Sequence, residues 1–291
     1  RYTYLGTIAR LGVSGRRPGL AWTVEGAAPI LLGLPDDAVA RAPRGQLGLG
    51  ASYWAANDSS RTVATAFVKQ AFVRVGAAPA AGGHALRLGR FEMSDGGEMA
   101  PADPTLAALK RDRIAQRLVG PFGWTHVGRA FDGAQYTFDR KARPGAGPSN
   151  VTLAAVFPTE GAFRASAWRP LDVFVGYGAY TRGFGAAGRA ASDLRVFALH
   201  YDDQRDPTRA VKVDNRPAAA RAADLARVRV TTLGGHLLHV RPTALGPIDL
   251  LAWGALQTGA WGALDHRANA AALEAGWQPA GVPWRPWLRA M

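Results

Sequence analysis

Apolar and polar residues alternate in short segments along most of the chain, and turns rich in Gly and Pro separate these segments. Successive side chains of a strand point to opposite faces of a sheet, so this alternation predicts strands. Apolar residues recur at helical spacing only in residues 105–118, "TLAALKRDRIAQRL". The pattern predicts an all-β protein with strands at residues 1–12, 20–30, 63–75, 84–93, 131–139, 150–157, 172–182, 193–201, 226–240, 247–260 and 268–278.

The connections between the predicted strands alternate in length. Residues 31–62, 94–130 and 202–225 form long connections, and 158–171 forms an intermediate one. The connections between them are short, until residues 261–267 break the rule. Alternation of strand residues alone fits a soluble β-sandwich equally well, but a sandwich has no reason to alternate its loop lengths. Outer-membrane barrels have short turns at one end and long loops at the other. We therefore expect a transmembrane antiparallel up-and-down β-barrel.

The two ends of the chain bear on its domain organisation. The chain starts at Arg1 without an initiator Met, and its last residues, "PWRPWLRAM", resemble part of a strand. We expect residues 1–291 to form a single partial β-barrel domain that is truncated at both ends and belongs to a large porin-type barrel. No apolar run is long enough for a membrane-spanning helix.

The charge balance points to an anionic partner. The chain has 35 Lys and Arg against 22 Asp and Glu, which gives a formal net charge of +13. Such a balance suits nucleic acid, an anionic polymer or an acidic membrane surface. The basic residues are dispersed singly through strand-like segments, which favours a lined channel over a basic tail. Cysteine is absent, so disulfides, thiolate metal sites and thiol nucleophiles are excluded.

The segment "RIAQRLVGPFGWTHVGRAFDGAQYTF" combines arginines with many glycines just before a predicted strand. Glycines allow tight turns, and the planar guanidinium group pairs with carboxylates in bidentate fashion. We expect residues 94–130 to form a long loop that folds toward the lumen and carries Arg113, Arg117 and Arg129 to the solute.

Several segments together resemble the alginate export family of outer-membrane barrels. They are "LRLGRFEMSDGGE", the arginine- and glycine-rich segment above, "FVGYGAYTRG", "IDLLAWGALQTGAWG" and "LEAGWQPAGVPWRPWLRA". The resemblance implies a porin in the outer membrane of a Gram-negative bacterium. It would export or conduct an anionic polysaccharide, such as an alginate-like polyuronate, through an Arg-lined, anion-selective lumen. Its partners would be that polysaccharide or a uronate, the outer-membrane lipid bilayer and periplasmic export proteins.

Charged residues in or beside the predicted strands are the candidate site. Rings of Arg or Lys are a usual device of anion pores, and a charge that faces lipid near the membrane centre costs about 2–4 kcal/mol. In "LRLGRFE", Arg87 and Arg90 fall on opposite faces unless a bulge lies near Gly89. The candidate pore residues are Arg87, Arg90, Arg113, Arg117, Arg129, Arg182, Arg195, Arg227 and Arg229. The candidate lumenal acids, which would pair with and space these cations, are Glu25, Glu92 and Glu274.

Enzyme signatures are weak. Of the six histidines, only His236 and His239 are closely spaced, and on a strand they fall on opposite faces. There is no nucleophile elbow, and "GYGAYTRGFGAAG" follows a strand without opening a helix. We expect no enzyme, no cofactor and no metal. Three alternatives remain open: a general anion, uronate or small-solute porin, a soluble polyanion-binding β-domain, and an outer-membrane hydrolase. The sequence contains no RNA-binding aromatic signature, so we expect no nucleic-acid partner.

Overall fold

The computed structural model describes residues 3–40, 45–77, 82–144, 146–185, 188–208, 212–284 and 286–291. Within these residues one antiparallel sheet contains 13 strands, and its long strands are neighbours in the order of the chain. The strands are β1 (Leu5–Arg17), β2 (Leu20–Leu32), β3 (Val39–Ala40), β4 (Gly45–Gln46), β5 (Thr62–Ala64), β6 (Phe67–Gly76), β7 (Gly83–Phe91), β8 (Phe131–Arg140), β9 (Ser149–Pro158), β10 (Val173–Gly185), β11 (Ala191–Asp203), β12 (Val228–Arg241), β13 (Ile248–Trp261), β14 (Leu264–Trp277) and β15 (Leu288–Ala290).

The structure confirms the prediction of an all-β, antiparallel, up-and-down sheet. Closure into a barrel is not seen within the described residues. β1 pairs with β2 alone, and at the other edge β14 pairs with β15 over only three residues. β3 and β4 form a separate small hairpin, and β5 pairs with the end of β2.

Most predicted strands are present, but several bounds were wrong. β1 begins at Leu5 and continues to Arg17, because it pairs with β2 up to a two-residue turn. The predicted strand 63–75 is divided into β5 and β6. The expected turn 261–267 shrinks to residues 262–263, and Gly262 adopts the positive φ of 67° that this tight turn needs.

Three helices lie in the long connections: α1 (Leu49–Ala56), α2 (Pro104–Arg113) and α3 (Ala218–Ala223). The sequence predicted only α2, and placed it at 105–118. α2 begins after Asp103, whose side chain accepts a hydrogen bond from the Leu106 N–H at 2.9 Å. It ends early because Gln116 has a positive φ of 65°. α1 and α3 have no side-chain N-cap hydrogen bond, which is why sequence signals missed them. No helix among the described residues is long and apolar enough to cross a membrane.

The two faces of the sheet differ in what covers them. On one face, here called the covered face, side chains such as Val156, Val175 and Phe197 are buried under the long connections. Met93 and Val119 from residues 92–130 join them in one apolar core. This core therefore lies between the sheet and a connection that folds back onto it.

The opposite face, here called the open face, carries exposed apolar side chains along the strand centres. Examples are Leu88 at 48 %, Leu153 at 51 %, Val196 at 55 % and Leu256 at 66 % exposure. The charged residues of this face all lie within three residues of a strand end in the described strands: Arg17, Arg90, Asp132, Arg140, Arg182, Asp202, Arg229, Arg241, Asp265 and Arg267.

The ends of the sheet also differ. Residues 33–66, 92–130, 159–172 and 204–227 connect strands at one end, here called the long-connection end. Residues 18–19, 77–82, 141–148, 186–190 and 242–247 connect them at the other, here called the short-turn end.

One irregularity interrupts the pairing of β2 with β6. Glu25 is opposite Gln70, but the next residue, Gly26, is opposite Val68. Lys69 is therefore the extra residue of a β-bulge. Its side chain is buried and its Nζ lies 3.2 Å from Glu92 Oε1, so Lys69 and Gln70 both serve the covered face.

Candidate functional site

A cavity of about 1000 Å³ lies against the covered face. Strands β1, β2 and β6–β9 form one wall, and residues 92–98 form the other. Four arginines of the strands line it: Arg17 at the end of β1, and Arg16, Arg74 and Arg87, which share the covered face. Their guanidinium groups are close enough for Arg74 to be repelled by Arg16 and for Arg87 to be repelled by Arg74.

Arg87 is held in place without a carboxylate. Its guanidinium carbon lies 4.0 Å from the ring centroid of Phe91 and 5.4 Å from that of Phe72. Its Nη2 donates to Gln135 Oε1 at 2.5 Å, and its buried Nε has no partner among the described residues. Aromatic rings and a neutral amide therefore fix a cation whose charge is not neutralised.

Arg16 and Arg74 are also free of ion pairs with the described carboxylates. Asp139 attracts Arg74 from the same cavity wall but forms no ion pair with it. Glu92, Glu98 and Asp139 also line the cavity, but none of them forms an ion pair with Arg16, Arg74 or Arg87, so these three cations are available to a bound anion.

Of the predicted lumenal acids, Glu92 lines the cavity and Glu25 does not. Glu25 accepts a hydrogen bond from Arg10 Nε and another from Gln70 at 3.2 Å. Glu92 pairs with the buried Lys69 at 3.2 Å and with Arg10 at 3.7 Å. Both acids form ion pairs with cations of the covered face.

Residues 92–130 fill the space over the other half of the covered face, where α2 rests against β11 and β12. Lys110 of α2 places its Nζ 3.0 Å from Asp193 Oδ2, and His236 Nε2 lies 2.7 Å from Asp193 Oδ1. All three side chains are buried. Burial lowers the pKa of Lys110, and the attraction of Asp193 opposes this only in part.

Arg195 is the most enclosed of the predicted arginines, with no exposed surface. Its Nη2 lies 3.0 Å from Glu98 Oε1 and 3.8 Å from Asp95 Oδ2, and it also donates to the hydroxyl of Tyr177. Burial raises the pKa of Asp95, although the N–H groups of residues 118 and 119 oppose it. Burial would also raise the pKa of Glu98, but Arg195 and Tyr177 hold it below its ordinary value. This arginine secures the connection to the sheet.

Glu274, the third predicted acid, receives three arginines. Arg113 donates to both carboxylate oxygens at 2.8 Å, and Arg117 and Arg289 lie at 3.2 and 3.0 Å. A hydrogen bond to Glu274 raises the pKa of Arg113. Arg289 also donates to Asp249 at 2.5 Å. The structure thus brings Arg113 and Arg117 to the covered face as anchors of α2.

Arg129 lies near the end of the same connection. Its guanidinium carbon is 5.0 Å from the ring centroid of Phe122, and its buried Nε has no partner among the described residues. Burial lowers the pKa of Arg129; Tyr201 opposes this shift in part, and Arg205 adds to it. It does not line the cavity that contains Arg87.

Arg90 is on the open face, opposite to Arg87, because β7 has no register shift at Gly89. Its Nε and Nη2 each lie 2.6 Å from a carboxylate oxygen of Asp132. Its remaining hydrogen bonds go to the carbonyl oxygens of Val68, Ala167 and Trp168 at 2.8–3.1 Å. The structure therefore separates Arg90 from Arg87 and neutralises it with Asp132.

Three more predicted pore residues lie away from the covered face. Arg182 and Arg229 alternate onto the open face, and Arg229 pairs with Asp202 at 3.3 Å. Arg227 precedes β12 and is exposed. The sequence grouped these arginines by the strand that carries them. Which face each one occupies depends on how that strand pairs with its neighbours.

The sequence also missed two covered-face arginines of the cavity. Arg16 was placed in a turn because β1 was expected to end at residue 12, and Arg74 lay in a predicted strand without being singled out. Their signal is the pairing itself: Arg16 is opposite Ala21, Ala21 is opposite Arg74, and Arg74 is opposite Arg87. The three cations form one row across the sheet.

Comparisons with protein-family models, curated proteins and solved structures found no match to this chain.

Proposed function

We propose that this chain is part of an outer-membrane porin that exports or conducts an anionic polysaccharide, such as an alginate-like polyuronate. The observation that carries the proposal is the row of Arg16, Arg74 and Arg87, which line one cavity without a carboxylate partner. An anion that leaves water needs replacement charge, and unpaired arginines supply it.

The two faces of the sheet support a membrane location. Exposed apolar side chains fill the centres of the open face, and its charges lie near strand ends. A lipid-facing Arg or Lys costs about 2–4 kcal/mol at the membrane centre and much less near the interface. Aromatic residues occur near both ends of this face: Phe157 and Phe174 at the long-connection end, and Tyr136, Phe138 and Tyr180 toward the short-turn end.

Arginine suits a carboxylate-bearing polymer for a geometric reason. The guanidinium fork matches a carboxylate, stays charged at every relevant pH and is weakly hydrated. Neighbouring strands are about 4.8 Å apart, so Arg74 and Arg87 are separated by one such spacing and Arg16 and Arg74 by two, and the row offers several cations to successive charged units. A small anion would use one cation at a time, whereas a polyuronate would contact several.

The test is ion selectivity of the full-length protein in planar bilayers. The variants Arg74→Glu and Arg87→Glu reverse a charge in the cavity, and Arg229→Glu reverses one on the open face as a matched control. At an effective dielectric near 20, a unit charge about 4 Å away contributes roughly 4 kcal/mol before salt screening. We expect both cavity variants to lower anion over cation permeability and to weaken block by oligouronates, with the control unchanged.

Two results would count against the proposal. Unchanged reversal potentials in both cavity variants would remove the cavity from the ion path. The second result is that the cavity variants lose anion selectivity but oligouronates do not block the unmodified protein. The protein would then be a small-anion porin, and the polymer would be the wrong substrate.

A further inference from the structure

Two arginines and a serine lie side by side on the open face toward the short-turn end. In the strand pairing Arg140 is opposite Ser149, and Ser149 is opposite Arg182. Neighbouring strands are about 4.8 Å apart, so the two arginines are roughly 10 Å apart with the serine between them. Two guanidinium groups can therefore reach one ligand that also meets the serine hydroxyl.

No described carboxylate neutralises these arginines. Neither forms an ion pair, and Arg182 contacts only an aromatic ring, with its guanidinium carbon 5.1 Å from the centroid of Phe184. The adjoining turns 141–148 and 186–190 contain Lys141, Arg143 and Arg189 and no Asp or Glu. The local field is therefore positive throughout.

The other turns of the short-turn end lack acidic residues as well. None of the turns 18–19, 77–82, 141–148, 186–190 and 242–247 contains Asp or Glu. At the long-connection end two exposed arginines have acidic partners: Arg164 lies 3.7 Å from Glu160, and Arg229 lies 3.3 Å from Asp202. Three others, Arg169, Arg227 and Arg267, form no ion pair with a described carboxylate. What distinguishes the short-turn end is therefore the absence of Asp and Glu from these turns.

The next row on the same face is apolar and aromatic. Phe138 is opposite Val151, and Val151 is opposite Tyr180, one step toward the strand centres. Leu153 continues this surface and is 51 % exposed. A ligand that fits both rows carries a phosphate beside an apolar chain.

We propose that Arg140, Ser149 and Arg182 bind the phosphate of an anionic phospholipid whose acyl chains lie along Val151 and Leu153. The inference rests on the proposed function in one respect, namely that the open face contacts lipid. Each guanidinium group donates to phosphate oxygens in a charge-assisted hydrogen bond, and the serine hydroxyl donates a third. The site fixes the depth of the strands at the leaflet that meets the short-turn end.

The test counts the phospholipids that the detergent-solubilised full-length protein retains, by native mass spectrometry. Phosphatidylglycerol is titrated against phosphatidylcholine, and the ratio of their apparent dissociation constants is measured. A Lys or Arg near an anionic surface contributes about fivefold in binding. We expect Arg140→Gln with Arg182→Gln to lower the preference for phosphatidylglycerol roughly 25-fold. We expect Ser149→Ala to lower it about threefold.

The control variant, Arg164→Gln with Arg229→Gln, removes the same charge at the long-connection end and should keep the full preference. An equal loss in both double variants would show a net-charge effect and overturn the site. Displacement of the lipid by millimolar inorganic phosphate would show a simple anion site and also overturn it.

The outcomes separate this inference from the proposed function. If the protein inserts into zwitterionic vesicles and keeps its anion selectivity without any lipid preference, the phospholipid site is wrong and the porin proposal stands. If it inserts into no bilayer and retains neither lipid, both are wrong.

Discussion

Arg195 and Arg87 both lie on the covered face, in β11 and β7, but their surroundings are opposite. Arg195 is fully buried, with Glu98 at 3.0 Å and Asp95 at 3.8 Å, under a connection that it helps to hold. Arg87 borders a cavity, rests on two aromatic rings and has no acidic partner. The comparison teaches that the role of a basic residue on such a face depends on its partner and not on its charge alone: Arg195, which is paired, holds the connection, whereas Arg87, which is unpaired, keeps an uncompensated charge at the cavity.

The largest effect should come from the paired region. Asp193→Ala leaves Lys110 and His236 buried without their common carboxylate. Removing one partner of a buried ion pair costs about 3–5 kcal/mol, since the other charge stays desolvated. We expect a loss of that size in urea unfolding of the protein in detergent. Leu251→Ala is a packing control on the same face. A loss below about 1 kcal/mol would mean that this region is not held by its ion pairs.

Acid should weaken the same region, with a smaller effect than Asp193→Ala. Glu98 is faced by Arg195, Lys110, Tyr177 and Asp95, and its pKa in the folded protein is below its ordinary value of 4.5. A lowered carboxyl pKa stabilises the fold above the unfolded pKa, and this stabilisation is lost as the pH falls through the folded pKa. We expect unfolding free energy to decline below about pH 4.5 in the unmodified protein and less steeply in Glu98→Gln. The pKa of Asp95 is raised, so this residue changes the stability in the opposite direction as the pH falls. If the unfolding free energy falls equally steeply with pH in both proteins, groups other than Glu98 cause the acid response.

The smallest change in stability should come from the cavity. Arg87→Gln removes a cation that has no carboxylate to lose, although it gives up the stacking on Phe91. Loss of a desolvated charge and loss of the stacking oppose one another. We therefore expect the unfolding free energy to change by no more than about 1 kcal/mol, while anion permeability falls. A loss as large as that of Asp193→Ala would show that Arg87 is a structural residue, and the distinction between the two regions would fail.

The sequence predicted the sheet better than the site. Alternation and loop lengths are local, so they located nearly every long strand and the connection 92–130. Which side chains of different strands share a face depends on how the strands pair, and the sequence pattern does not reveal that pairing. Arg90 and Arg182 were therefore assigned to a pore, while Arg16 and Arg74 were missed.

The three candidate acids are all ion-paired, for a physical reason. Glu25, Glu92 and Glu274 all pair with cations of the covered face. Because basic residues outnumber acidic ones by 35 to 22, a carboxylate on this face usually has a basic side chain within ion-pair distance. The partners of Glu274 come from positions 113, 117 and 289, and such long-range pairs cannot be inferred from spacing.

The bulge at Lys69 has a consequence for how the length of these strands can change during evolution. In a regular strand, deleting one residue turns every following side chain to the opposite face. Because Lys69 is the extra residue between Val68 and Gln70, its loss would restore regular alternation and leave every other side chain of β6 on its present face. Position 69 is thus a point where the chain can shorten by one residue without exchanging its open and covered faces, at the cost of one ion pair to Glu92.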